Sequence, residues 1–197
     1  HELIMEEKWM IGLEGGRQSI LFLHGYKSEQ SPEHKALIAL DGLTGKQLWA
    51  DYNFSLEAFT TVGLLAADQR FQTKKTVMLD YQTGTLISNT NQQQDDFQEI
   101  RYPMMLRLLP ENLAALISGT ITGEISCLNY NSFLIISLHT QKNGLLVQEI
   151  FIVENEAVIY RDILNEGIQK LQPEAFVLVE NCLVYTKNKI SLKVLTL

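Results

Sequence analysis

The chain has little cysteine, few histidines and no long apolar run, and each scarcity closes off a class of function. Cys127 and Cys182 are the only cysteines among 197 residues, too few for a disulfide-stapled scaffold or a cysteine metal cage. They stand far apart without a Cys-x-x-Cys pair and read as buried, inert thiols. The longest unbroken apolar runs, at 36–40, 113–117 and 175–179, hold five residues each, against the roughly 20 that a membrane-spanning helix needs. No membrane span is expected. Basic residues are outnumbered, 16 against 23 acidic, for a formal charge of −7. Their densest groups are only Lys74-Lys75 and Lys187 with Lys189, read as solvated turns. Phosphate backbones are held by clustered Lys and Arg, so nucleic acid is not an expected partner.

Catalytic motifs are missing too. The sequence holds no Gly-x-Ser-x-Gly elbow, no phosphate-binding Walker loop and no Gly-x-Gly-x-x-Gly fingerprint. Gly12, Gly15 and Gly16 stand in the wrong order for a dinucleotide loop. The four histidines, His1, His24, His34 and His139, form no His-x-x-x-His or Glu-x-x-His pair. His24 and His34 flank a loop and read as loop or packing residues rather than ligands. Adjacent carboxylates, Glu6-Glu7 and Asp95-Asp96, read as solvated surface. On this reading there are no catalytic, cofactor-binding or metal-binding residues, no cofactor is expected, and the balance leans away from an enzyme.

What is present is a folded, β-rich pattern: 46% hydrophobic and 20% charged residues are ordinary for a packed domain. Two segments repeat each other. Asp41-x-x-Thr44-Gly45 and Asp80-x-x-Thr83-Gly84 each follow one apolar run and precede another, and the two Asp residues are 39 positions apart. Given 7 Asp, 13 Thr and 12 Gly, chance supplies about 0.03 such motifs, so the pair is informative. The chemistry is that of a tight turn between strands: Asp accepts backbone N–H groups just ahead, and Gly takes the positive φ that other residues adopt at a cost. A third Thr-Gly pair, Thr122-Gly123, lies 39 residues further on and reads as a degenerate copy of the same turn.

Other segments fit short strands. Residues 190–194 alternate with period two, and 133–139 and 145–153 flank Asn143-Gly144, a strong hairpin signal. Stretches 156–161, 175–179 and 183–187 are further strand candidates. Helical spacing is scarce: Leu164, Ile168 and Leu171 suggest one short helix over 163–172, while 56–59 and 113–117 are ambiguous. Residues 90–98 read as an exposed loop.

A 39-residue period with several short strands is propeller-like. The run Asp41-x-x-Thr44-Gly45-x-x-x-Trp49 resembles the repeat of quinoprotein-like propellers, the pyrroloquinoline-quinone type repeat. The second copy keeps Asp80, Thr83 and Gly84 but has no Trp. The resemblance implies that the turn joins a blade to its outermost strand and that Trp49 docks on the next blade. The segment around His24-Gly25-Tyr26 and Ser31-Pro32-Glu33-His34-Lys35 also resembles an uncharacterised bacterial family built on such blades, which implies architecture alone. The resulting expectation is an all-β, propeller-like single domain over residues 1–197. Its short four-stranded blades repeat about every 39 residues, five in all, with one short helix. The expected blades run over 52–89, 100–130 and 131–162, with one ahead of them ending at Trp49 and one at the C-terminus. Because His1 follows neither Met nor a leader, a missing N-terminal part is also expected.

The function these expectations favour is a non-enzymatic interaction scaffold holding a protein partner. The alternatives are a small-molecule or glycan sensor using tyrosines such as Tyr26, Tyr52, Tyr81 and Tyr102, or a quinoprotein-type enzyme, for which the chain is short. Sparse cysteine suggests a cytoplasmic location, with the periplasm as the alternative.

Overall fold

The computed structural model describes residues 2–4, 11–28, 31–88, 100–109, 111–114, 117–173 and 175–197. The expected loop at 90–98, His1, Trp9 and the paired carboxylates at 6–7 and 95–96 lie outside these residues. The protein is all-β. Its strands are β1 (Glu2–Ile4), β2 (Ile11–Arg17), β3 (Ile20–Ser28), β4 (Ser31–Asp41), β5 (Gln47–Asp51), β6 (Phe54–Phe59), β7 (Leu64–Asp68) and β8 (Thr76–Leu79), followed by β9 (Ile100–Arg101) and β10 (Met104–Leu106). One helical turn, α1 (Glu111–Ala114), precedes β11 (Thr120–Tyr130), β12 (Phe133–Lys142), β13 (Leu145–Glu154), β14 (Ala157–Ile168), β15 (Val177–Val179), β16 (Cys182–Lys187) and β17 (Ser191–Thr196). The strands form four sheets, ordered β2-β3-β4-β5, β6-β7-β8, β10-β11-β12-β13-β14 and β1-β17-β16-β15-β9. Among the described residues no helix is long and apolar enough to cross a membrane.

The chain divides into two compact units, one of residues 1–100, 178–183 and 194–197, the other of 101–177 and 184–193. In the first, β2 to β5 form a four-stranded antiparallel meander. The next meander, β6 to β8, is extended among the described residues by the bridge Leu79↔Leu86. Alternate residues of β3 and β4, Ile20 and Phe22 with Leu37 and Ala39, pack on Phe54, Leu64, Ala66, Leu79 and Tyr81. Period-two alternation puts these residues on one face of each strand.

The second unit is built from longer strands. β12 pairs with β13 over ten consecutive positions without a slip. Ile136, Leu138, Phe151 and Val153 form its core with Leu113 and Ile125. Its turns use left-handed residues, Asn143 at φ 52° and Gly144 at 81°, then Asn155 at 47° and Glu156 at 62°, the arrangement that two-residue hairpins require.

Three expectations are corrected here. Residues 163–168 belong to β14, not a helix: Ile163 pairs with Glu149, Asn165 with Gln148 and Ile168 with Leu146. The short helix lies instead at Glu111–Ala114. Thr122-Gly123 is not a turn but part of β11, where the register with β12 shifts between Thr122 and Ser126 and Gly123 takes φ 81°. An expected blade boundary at 130/131 is absent, because β11 to β14 form one continuous sheet across it.

Candidate functional site

On the first meander, three strands converge on a small polar cluster. His24 continues the core-facing series Ile20–Phe22 along β3, and only 4% of it is exposed. It pairs across the ladder with Gly12 of β2. A Cβ at Gly12 would lie 2.5 Å from both Cε1 and Nε2 of the His24 ring, so only glycine leaves room for the imidazole there. Tyr26, two residues on, presents the same face and is paired with His34 of β4. The rings of His24 and His34 stack with centroids 3.5 Å apart and planes 11° from parallel. Tyr26 stands edge-on to both, at 4.8 Å and 5.4 Å.

Glu14 completes the cluster because β2 is bulged. The register jumps from Leu13↔Leu23 to Gly15↔Phe22, leaving Glu14 as the extra residue, and a bulge of this kind re-aims the side chain it carries. Glu14 Oε1 lies 2.8 Å from His34 Nδ1 and 3.0 Å from His24 Nδ1. A second irregularity falls on β4, where the register shifts between Leu23 and Gly25 and Ala36 is held at φ 72°. A non-glycine residue in that region stores roughly 1–3 kcal/mol.

The electrostatics are asymmetric. Burial is the largest single influence on Glu14 and works to raise its pKa. The two imidazoles together outweigh it and leave the carboxyl below its ordinary value. Glu14 is therefore an anion at neutral pH. His24 Nδ1, though 3.0 Å from it, is not aligned for a hydrogen bond, and neither ring nitrogen of His24 has such a partner. The side chains are graded in exposure from 5% for His24 through 14% for Glu14 to 40% for His34. Two imidazoles and a carboxylate are donors that zinc and related ions accept.

The residues singled out by the repeat lie elsewhere in the same unit. Asp41 Oδ1 accepts from the Leu43 and Thr44 amides at 2.8 and 2.9 Å, and the Gly45 amide donates to the Asp41 carbonyl at 2.7 Å. Asp80 Oδ1 accepts from the Gln82 and Thr83 amides and from the Thr83 hydroxyl, all within 3.0 Å. These bonds, led by the Thr44 and Thr83 amides, hold both carboxyls below the usual range. Gly45 and Gly84 sit at φ 70° and 68°. Trp49, on β5, lays its ring over Gly84, where an added Cβ would meet it at 2.6 Å. Its indole N–H donates to the Tyr81 carbonyl at 2.9 Å, and Phe22 lies beside it at 6.1 Å. These seven residues are thus turn and packing groups, and none of them belongs to the histidine cluster.

The remaining candidates scatter. His139 is buried, which pushes its pKa down, and its neutral Nε2 accepts the Gln172 amide at 3.1 Å. Cys127 and Cys182 are buried and free. Tyr81 is enclosed, whereas Tyr52 and Tyr102 are exposed. Sequence reasoning missed Glu14 altogether and left the histidine pair to the loop. A usable signal was the strand pair itself: β3 and β4 pair as far as Ser28↔Ser31, so residues 24 and 34 stand almost symmetrically about that pair.

A family model described as "Domain of unknown function (DUF4905)" matches residues 1–49. That stretch contains Glu14, His24, His34 and Trp49. No curated protein and no solved structure matches the chain.

Proposed function

We propose that the protein is a non-enzymatic interaction scaffold of propeller type, whose meander sheets serve as blades and whose apolar sheet edge holds a protein partner. The repeated turns and the laying of Trp49 across the turn of the following sheet support the blade reading. The observation that carries the interaction reading is the edge strand β10. Among the described residues it pairs with β11 alone. Around it, Tyr102 is 69% exposed, Met104 62%, Met105 48% and Leu108 83%. Monomeric proteins seldom leave such residues clustered in water, and methionine-rich surfaces adapt readily to partners. A strand edge also offers unpaired backbone groups to an incoming extended segment.

The test is a photo-crosslinking residue placed at Tyr102 in the cells that make the protein. A discrete crosslinked protein that disappears in the Met104→Glu variant supports the reading. No crosslinked protein, or one unchanged by Met104→Glu, overturns it.

A further inference from the structure

We propose that Glu14, His24 and His34 form a binding site for a divalent transition-metal ion of the zinc class, independent of any partner at β10. One ligand atom from each of the three residues falls within a sphere where all lie within 4.8 Å of one another. Around a tetrahedral ion with bonds of about 2.0–2.2 Å, neighbouring donors stand roughly 3.3 Å apart. The two Glu14–histidine separations, 3.0 and 2.8 Å, are already within a few tenths of an ångström of that spacing. The donors also differ in the way a site needs. His24 is fixed in a slot that only Gly12 leaves open, and Glu14 is an anion aimed by a bulge. His34, the most exposed of the three at 40%, has water on its outer side into which it can turn once its Glu14 contact is exchanged for the ion.

An ion cannot lie in the planes of two parallel rings 3.5 Å apart at once. Binding therefore opens the stack, with His34 rotating and His24 staying in place. One of the buried His24 nitrogens, neither of which has a hydrogen-bond partner, then gains a bond to the ion. The nitrogen donors select zinc, cobalt or nickel over magnesium and calcium, which prefer all-oxygen shells. Three protein donors leave a fourth position to water or another small ligand, as in sites that are not purely structural.

Tag-free protein titrated calorimetrically with Zn²⁺ alone should take up one equivalent, and Mg²⁺ should not compete. His34→Ala and Glu14→Gln should each weaken that binding by more than the roughly 10–100-fold that loss of a merely supporting group costs. In unmutated protein, Zn²⁺ should shift the ring resonances of His24 and His34 but not of His139, a readout that holds even should a variant fail to fold. The proposal is overturned by the absence of saturable one-equivalent binding. It is equally overturned by affinities unchanged in both variants, or by shifts confined to other histidines.

Discussion

The β2–β5 sheet and the β10–β14 sheet are both antiparallel meanders and share two-residue left-handed turns, at Gln18-Ser19 in one and Asn143-Gly144 in the other, but the turn after β4 uses a different chemistry. The motif turn after β4 closes with a carboxylate: Asp41 gathers two amides and Gly45 supplies the left-handed residue. The β12–β13 and β13–β14 turns of the long sheet are two-residue loops, Asn143-Gly144 and Asn155-Glu156, whose residues all take positive φ. Strand lengths differ as well: in the first unit β3 and β4 hold nine and eleven residues but β5 to β8 only four to six, while β12 to β14 hold ten to twelve. Short strands bury too little to stand alone, so the first unit adds rings across its sheets, with Phe22, Trp49, Phe59 and Tyr81 meeting at 5.6–6.5 Å. In the long sheet, ten unbroken pairs between β12 and β13 do that work within the ladder.

The largest expected effect breaks that contrast at Trp49. Trp49→Ala removes a half-buried ring and the hydrogen bond to the Tyr81 carbonyl. Full burial would put the loss at ~3–5 kcal/mol, and partial exposure places it near the lower end, about 3 kcal/mol. Urea unfolding followed by circular dichroism measures it. A midpoint unchanged within error would mean that the rings do not tie the two sheets.

A second comparison sets one turn glycine against another. Gly84 and Gly144 share a left-handed φ, 68° and 81°, but an added Cβ meets the Trp49 ring at 2.6 Å in the first case and nothing within 4 Å in the second. Gly144→Ala should therefore cost only the backbone strain of ~1–2 kcal/mol. Gly84→Ala adds overpacking, worth ~1–3 kcal/mol elsewhere. Equal losses in thermal unfolding would show that the ring moves aside freely.

The same contrast explains how much could be read from sequence. The Asp-x-x-Thr-Gly turns were legible because the bonds that close them, from amides and hydroxyl to the Asp carboxylate and from the Gly amide to the Asp carbonyl, all lie within four residues. The long sheet was partly hidden by its own irregularities. Leu164, Ile168 and Leu171 are spaced like a helix face, and the register slips between Leu146 and Gln148 and again before Glu149 spoil the alternation that would mark a strand. Tertiary pairing then overrode the local pattern. The histidine cluster was the least visible, since it depends on a bulge at Glu14 and on register across three strands. Neither leaves a contiguous motif, and Gly12 shows its purpose only once His24 lies over it.

The smallest expected effect separates the units by acid. In the second unit, burial lowers His139 below its ordinary 6.5, and its neutral Nε2 is an acceptor for the Gln172 amide. In the first unit, Asp68 is lowered from 3.8 to about 2, foremost by the Arg70 guanidinium, which contacts it at 2.6 and 2.8 Å. Both groups have folded pKa values below their unfolded ones, so the unfolded chain binds more protons as the pH falls. Each contribution is complete above the unfolded pKa and is lost as the pH drops through the folded one. For His139 the loss begins near pH 6.5; for Asp68 it begins near pH 3.8 and runs to about 2. Arg70 is 58% exposed, and water and salt screen its pairing, so the Asp68 effect is the weaker. Hydrogen exchange of β12 and β7 amides, corrected for intrinsic rates, should show protection falling first in β12 as the pH drops below 6.5, and in β7 only below about 3.8. Loss in the reverse order would mean that neither the buried imidazole nor the Asp68–Arg70 pair sets the acid limit of its own sheet.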